Sequence, residues 1–121
     1  MQVLALDHVQ VAMPAGGEAA ARAFYGDLLG LTEIAKPGNL RAHGGCWFRI
    51  GDREFHLGVD PAFVAAKKAH VALAVRGLDR FRTALATAGR PVSQEAQIPG
   101  RQRFFTEDPF GNRIELMEYV G

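Results

Sequence analysis

Three histidines and one glutamate stand where they could hold a divalent metal ion: His8, His56, His70 and Glu115. Neutral imidazole and carboxylate are good ligands for Zn, Mn, Fe, Co or Ni. Such a set leaves coordination positions open for water or substrate. A metal held this way polarises a substrate oxygen, stabilises an enolate or acidifies water. Glu115 could also accept a proton, which makes it the candidate catalytic residue.

Strand parity puts the four on comparable faces, because residues two apart in a strand point the same way. His8 shares a face with Gln10 and Ala12, against Val9 and Val11. His56 shares one with Glu54 and Gly58, against Phe55 and Leu57. His70 goes with Ala72 and Ala74, against Val71 and Leu73. Glu115 goes with Arg113 and Met117, against Ile114 and Leu116. The apolar faces are expected to pack on helices. The other faces carry the donors, with small neighbours in two of the strands.

The elements that position these residues repeat. A strand over 4–12 is followed by a helix over 18–29, whose apolar stripe is Ala20, Phe24 and Leu28 and whose stop is Gly30. A short strand over 31–35 and a loop over 36–39 lead to a hairpin, 46–50 and 53–58. Its turn, Gly51-Asp52, has glycine first, as a type II′ turn requires. A connector follows, with a helical turn expected over 62–67. The order then restarts with a strand over 70–75, a helix over 78–88 with Leu78, Phe81 and Leu85 inward, and a short strand over 91–94. A last hairpin, 102–106 and 113–118, closes around Asp108-Pro109-Phe110-Gly111. The segment at His8 matches that at His70 with an offset of 62, and His56 matches Glu115 with an offset of 59. The chain therefore reads as one α+β domain, 1–121, of two tandem βαβββ modules, 1–60 and 68–121. They form a cupped mixed β-sheet with the helices on its outer face.

Hairpin register adds candidates for binding. Pairing across Gly51-Asp52 sets Trp47 opposite His56 and Arg49 opposite Glu54, and opposed residues share a face. With a four-residue loop, the second hairpin sets Phe104 opposite Glu115. Trp47, Arg49, Phe104, Arg113 and Gln10 are thus the expected substrate-binding residues, with Thr106 beside Phe104. Arg41, Arg101 and Arg103 could also meet an anionic substrate. The plainer readings are a solvated sheet face for the histidines, a core position for Trp47 and ordinary surface for His43. Cys46 has the opposite parity and is expected to be buried.

Composition narrows the classes. The 121 residues are 48% hydrophobic and 22% charged, with formal net charge +1. Nothing here recruits nucleic acid or an anionic membrane. No stretch approaches the roughly 20 apolar residues of a membrane span. One cysteine suggests a reducing compartment, and a cytoplasmic location is expected.

Leu6-Asp7-His8-Val9, Ala23-Phe24-Tyr25-Gly26-Asp27-Leu28-Leu29-Gly30-Leu31 and Asp108-Pro109-Phe110-Gly111-Asn112-Arg113-Ile114-Glu115-Leu116 together resemble the vicinal oxygen chelate superfamily. This group includes glyoxalase I, fosfomycin-resistance thiol transferases, bleomycin-resistance proteins and extradiol dioxygenases. The resemblance implies paired βαβββ modules around one divalent metal, with ligands on the first and last strands of each module. That places the metal on His8, His56, His70 and Glu115, most closely on His8, His70 and Glu115. At the place of His56, glyoxalase I usually has a glutamate important to its proton transfer. The resemblance also implies a homodimer. The 11-residue connector from Val59 to Ala69, at roughly 3.3 Å per extended residue, permits a cup within one chain or between two.

The leading expectation is a metal-dependent enzyme that chelates vicinal oxygens of a small substrate. Whether it is a lyase, isomerase, thiol transferase or dioxygenase is left open. The alternative is a metal-free small-molecule or antibiotic binder of the bleomycin-resistance type. A scaffold without a site would have its inner faces filled by side chains.

Overall fold

A computed structural model describes residues 1–121. The chain divides into two compact units, Met1–Val64 and Ala65–Gly121. The seven strands fall into two mixed sheets, one of four strands and one of three.

Unit 1 contains β1 (His8–Met13), α1 (Glu18–Ala21), β2 (Thr32–Ile34), a 3₁₀ helix (Gly38–His43), β3 (Cys46–Ile50) and β4 (Arg53–Val59). The sheet order is β1-β4-β3-β2, with β1 parallel to β4 and the other pairs antiparallel. The expected helix forms, but α1 runs on as a π-helix over Arg22–Leu28. Leu29 N–H donates to the Phe24 carbonyl, five residues back. The wider turn changes the inward face. The buried residues are Ala21, Phe24, Tyr25 and Leu29, whereas Ala20 is exposed and Leu28 only half-buried. Tyr25 meets the rings of Phe48 and Phe55 at 5.9 and 5.1 Å. With Met13, Cys46 and Leu57 these form the core on one sheet face.

Unit 2 contains β5 (His70–Ala74), α2 (Leu78–Thr87), β6 (Arg101–Glu107) and β7 (Arg113–Tyr119), in sheet order β5-β7-β6. β5 runs parallel to β7, and β6 antiparallel. Leu78 and Leu85 of α2 are buried, as are Phe104, Thr106, Ile114 and Leu116, which share one sheet face. Phe81 is only half-buried. The Gly77 and Leu78 N–H groups both donate to the Glu118 carboxylate. A β7 side chain thus satisfies orphan donors at the start of α2.

Three local expectations are corrected. The short strand over 91–94 is a single bridge, Ser93 with Phe105. Pro91, which has no N–H to give, stands at its start. The segment 62–67 forms no helix; Asp60 instead closes a turn, its side chain accepting from the Ala62 N–H. The expected loop over 36–39 is cut short by the 3₁₀ helix Gly38–His43.

Register is the largest correction. The first hairpin pairs Trp47 with His56 and Arg49 with Glu54, as parity and a two-residue turn require. Gly51 has φ +58° and no other residue of that turn has positive φ, which excludes type I′ and fits type II′. The second hairpin pairs Phe105, not Phe104, with Glu115. Asp108 N–H donates to the Asn112 carbonyl, leaving a three-residue loop that ends on Gly111 at φ +92°. A three-residue loop ending in a left-handed glycine is a standard hairpin closure. A one-residue slip exchanges the faces of every side chain on the strand. Phe104 is therefore fully buried on the α2 side, and Phe105 takes the place expected of it.

Candidate metal and substrate site

Each unit brings two of the four donors together on the sheet face away from its helix. In unit 1, His8 and His56 lie on the neighbouring strands β1 and β4. Their rings stack at 4.4 Å between centroids, 23° from parallel. Trp47 stacks on the other side of His56, at 3.7 Å and 2°. His56 is 4% exposed. Its Nε2 lies 2.9 Å from Glu54 Oε1, and His8 Nδ1 lies 2.9 Å from Asp7 Oδ2. The hydrogen bond to His8 holds the Asp7 carboxyl below its ordinary value.

In unit 2, His70 Nε2 lies 3.0 Å from Glu115 Oε1. The other ring nitrogen, Nδ1, is 3.1 Å from the Lys68 carbonyl oxygen. If Nδ1 carries the proton, that contact fixes the ring's tautomer and turns Nε2 toward the carboxylate. Glu115 is 5% exposed. Its second oxygen lies 3.4 Å from an Arg103 guanidinium nitrogen. Arg103 in turn donates to the Ala96 carbonyl through Nε and Nη2, at 3.0 and 2.6 Å. Phe105 meets the His70 ring edge-on at 4.9 Å.

The donor types suit a divalent ion. The 3.0 Å between His70 Nε2 and Glu115 Oε1 is what two adjacent ligands have when each is roughly 2.1 Å from one octahedral ion. The His8 and His56 rings are stacked 23° from parallel, so one ring must turn for an in-plane nitrogen of each to meet one ion. No group of three or more His, Cys, Asp or Glu side chains converges in the single chain. The four expected ligands therefore stand as two pairs.

The expected substrate-binding residues are spread over both units. Gln10 and Trp47 line a cleft of about 200 Å³ in unit 1, with Lys36, His43 and Gly58. Gln10 lies directly over Gly58, whose missing side chain leaves room for it. Arg49 is exposed on the same strand. Arg113 lines a cleft of about 560 Å³ in unit 2. Its guanidinium lies 3.8 Å from the Phe105 ring centroid and pairs with Glu95 at 2.9 Å. Phe104 is in the core and contributes nothing to this face. Cavities on both units argue against a scaffold with filled inner faces.

Sequence reasoning passed over Phe105, Glu54 and Lys67, and treated Arg103 only as a loose cation. The loop signal that would have found Phe105 is Asp108 with Asn112. Asp108 Oδ1 accepts from the Phe110 and Asn112 N–H groups and Oδ2 from Asn112 Nδ2, which draws Asp108 into the pairing and shortens the loop by one residue. Cys46 is buried as expected, and burial pushes its thiol up to about 11.

Comparison with known proteins agrees with this architecture. The model of the Glyoxalase/Bleomycin resistance protein/Dioxygenase superfamily matches residues 5–116. A glyoxalase family protein from Bacillus anthracis is 47% identical, covers 99% of this chain and 98% of its own, and superposes with a TM-score of 0.93. Two more distant structures share the fold. Lactoylglutathione lyase from Agrobacterium tumefaciens has 21% identity, 94% and 92% coverage and TM-score 0.72. A genomically encoded fosfomycin resistance protein from Listeria monocytogenes has 13% identity, 98% and 96% coverage and TM-score 0.78. A search of curated proteins finds no match. No helix is long and apolar enough to cross a membrane. With a four-stranded and a three-stranded mixed sheet, each pairing its first strand parallel to its last, and a family match over nearly its whole length, this chain belongs to the Glyoxalase/Bleomycin resistance protein/Dioxygenase superfamily.

Proposed function

We propose that the protein is a metal-dependent enzyme acting on a small, oxygen-rich molecule. His8, His56, His70 and Glu115 would hold one divalent ion. The observation that carries this reading is the His70–Glu115 pair, with the imidazole of an exposed histidine 3.0 Å from a buried carboxylate, matched at the same register by His8 and His56. When bound, the ion supplies Lewis acidity toward two neighbouring substrate oxygens and stabilises negative charge that develops on them.

The rest is done by the chain's own groups. Arg103 holds Glu115 through one oxygen, which fixes where the other oxygen can point. Trp47 and Phe105 supply the aromatic walls. Glu115 is the group we assign as proton acceptor, because it is the buried carboxylate of the pair. Both units of one chain, or one from each of two chains in a homodimer, would supply the ligand set. In the second case His8 and His56 of one chain meet His70 and Glu115 of the other. Protein purified without chelator should carry close to one divalent ion per chain. Less than about 0.2 ion per chain, not raised by added Zn, Mn, Ni or Fe, would sink the reading.

A second reading is favoured by one observation: every donor already has a protein partner, with Glu54 on His56, Asp7 on His8 and Arg103 on Glu115. A metal-free cup of this kind would bind a flat molecule against Trp47. Tight binding of such a molecule by chelator-treated protein favours this reading over the first.

A further inference from the structure

We infer that unit 2 carries an anion subsite beside the His70–Glu115 pair. There Arg113 and Lys67 take a carboxylate, phosphonate or phosphate group of the substrate. This rests on the reading that the same face binds a small oxygen-rich molecule, and it adds the charge class of that molecule.

The cleft of about 560 Å³ is lined by Lys67 and Arg113 on the cationic side and by Glu107 as its one acidic group. The Arg113 guanidinium carbon lies over the Phe105 ring, 3.8 Å from its centroid. Stacking fixes the plane of a guanidinium and leaves its in-plane N–H groups for a planar or tetrahedral oxyanion. Its present partner, Glu95, is a half-exposed side chain on a loop, a contact that water weakens and a ligand can displace.

The internal repeat shows that the fold does not require this charge. The residue of β7 paired with the first residue of β5 is Arg113. The residue of β4 paired with the first residue of β1 is Glu54. The same scaffold position is thus cationic in one unit and acidic in the other. Arg103 is committed to Glu115 and Arg101 lies against Tyr119, whereas Arg113 lines the cleft and is held there only by the half-exposed Glu95. One ring separates it from the donor pair, since Phe105 also meets the His70 ring. A single small molecule therefore reaches both.

The test is isothermal titration of chelator-dialysed, full-length protein with inorganic phosphate and, separately, with malonate, in chloride buffer. Saturable binding of either probe is expected. Phosphate alone points to the phosphate or phosphonate class, malonate alone to carboxylates. R113Q and K67Q should each weaken binding at least ~10-fold, and R113K should recover part of it. Glu95→Gln should bind at least as tightly as wild type. No binding by wild type, or equal binding by R113Q in a variant whose thermal midpoint is unchanged, overturns the subsite. Metal content of the same variants, measured on separate preparations purified without chelator, separates the two claims. Metal without anion binding defeats the subsite alone, and anion binding without metal defeats the metal-dependent reading while the subsite stands.

Discussion

The two units solve one geometric problem with different chemistry. In each, a parallel strand pair places two donors side by side, and a hairpin sets an aromatic opposite the second donor: Trp47 opposite His56, Phe105 opposite Glu115. One step along the strands the charges are exchanged, Arg49 with Glu54 in unit 1 and Glu107 with Arg113 in unit 2. Two residues before the aromatic, unit 2 has Arg103, which grips the donor carboxylate. Unit 1 has Gly45 there, packed so closely on the Leu57 carbonyl that no Cβ fits. The difference teaches that the scaffold fixes where donors stand, and the neighbouring positions decide how they are held. In unit 1 the imidazoles are held by stacking and by the Asp7 and Glu54 carboxylates; in unit 2 the carboxylate is held between a guanidinium and an imidazole.

The comparison can be broken most directly at Glu115. Glu115→Gln keeps the shape but leaves Arg103, a largely buried cation, without its counter-charge. Metal affinity is expected to fall at least ~100-fold, with a loss of about 3 kcal/mol in stability. Calorimetric metal titration and urea unfolding read the two effects. Unchanged values for both would mean that the clasp around the carboxylate has no energetic role.

The next effect is at the turn that sets the second register. Asp108 is buried and accepts three hydrogen bonds through its carboxylate. Asp108→Ala should cost about 2–3 kcal/mol by urea unfolding and weaken metal binding through the misplaced β7. The matching change in unit 1, Asp52→Ala at an exposed turn, should stay within about 0.5 kcal/mol.

A smaller effect separates the units by pH. The Leu78 and Gly77 N–H groups hold the Glu118 carboxyl below the ordinary 4.5. The folded-state value is the lower one, so its contribution is present above that ordinary value and fades as pH falls through the folded value. Glu118→Ala should lower the thermal midpoint at neutral pH and flatten its acid dependence below pH 4.5. A variant with the parent's acid profile would remove Glu118 from the account. The smallest effect is chemical. With its thiol pushed up to about 11 by burial, Cys46 should react with a thiol reagent at pH 7.5 only after denaturation. Prompt labelling of the folded protein would contradict its packing against the unit 1 core.

Most of the architecture was legible in the sequence because its signals are local. Alternation at His8-Val9-Gln10-Val11, the Gly51-Asp52 turn and the repeat of His8 at His70 each follow from a few adjacent residues. Parity alone placed Cys46 inside and Trp47 against His56. The failures arose where a distant or subtle choice decides. A π-turn moved the inner stripe from Ala20, Phe24 and Leu28 to Ala21, Phe24, Tyr25 and Leu29. Side-chain bonds of Asp108 shortened a loop and carried Phe104 into the core. Arg103 could not be assigned to Glu115 until that register was known. The pairing of donors within each unit was readable, whereas Asp7, Glu54 and Arg103 as their partners depend on side-chain geometry that spacing does not encode.

The central claim is that two unlike pairs serve one ion. Metal stoichiometry of three proteins tests it: wild type, the His8→Ala/His56→Ala double variant and the His70→Ala/Glu115→Ala double variant. The account predicts about one ion per chain in wild type and nearly none in either double variant, because two ligands alone hold a divalent ion too weakly to survive dialysis. Wild-type stoichiometry in either double variant would contradict it, since the pair removed would then be no part of the site.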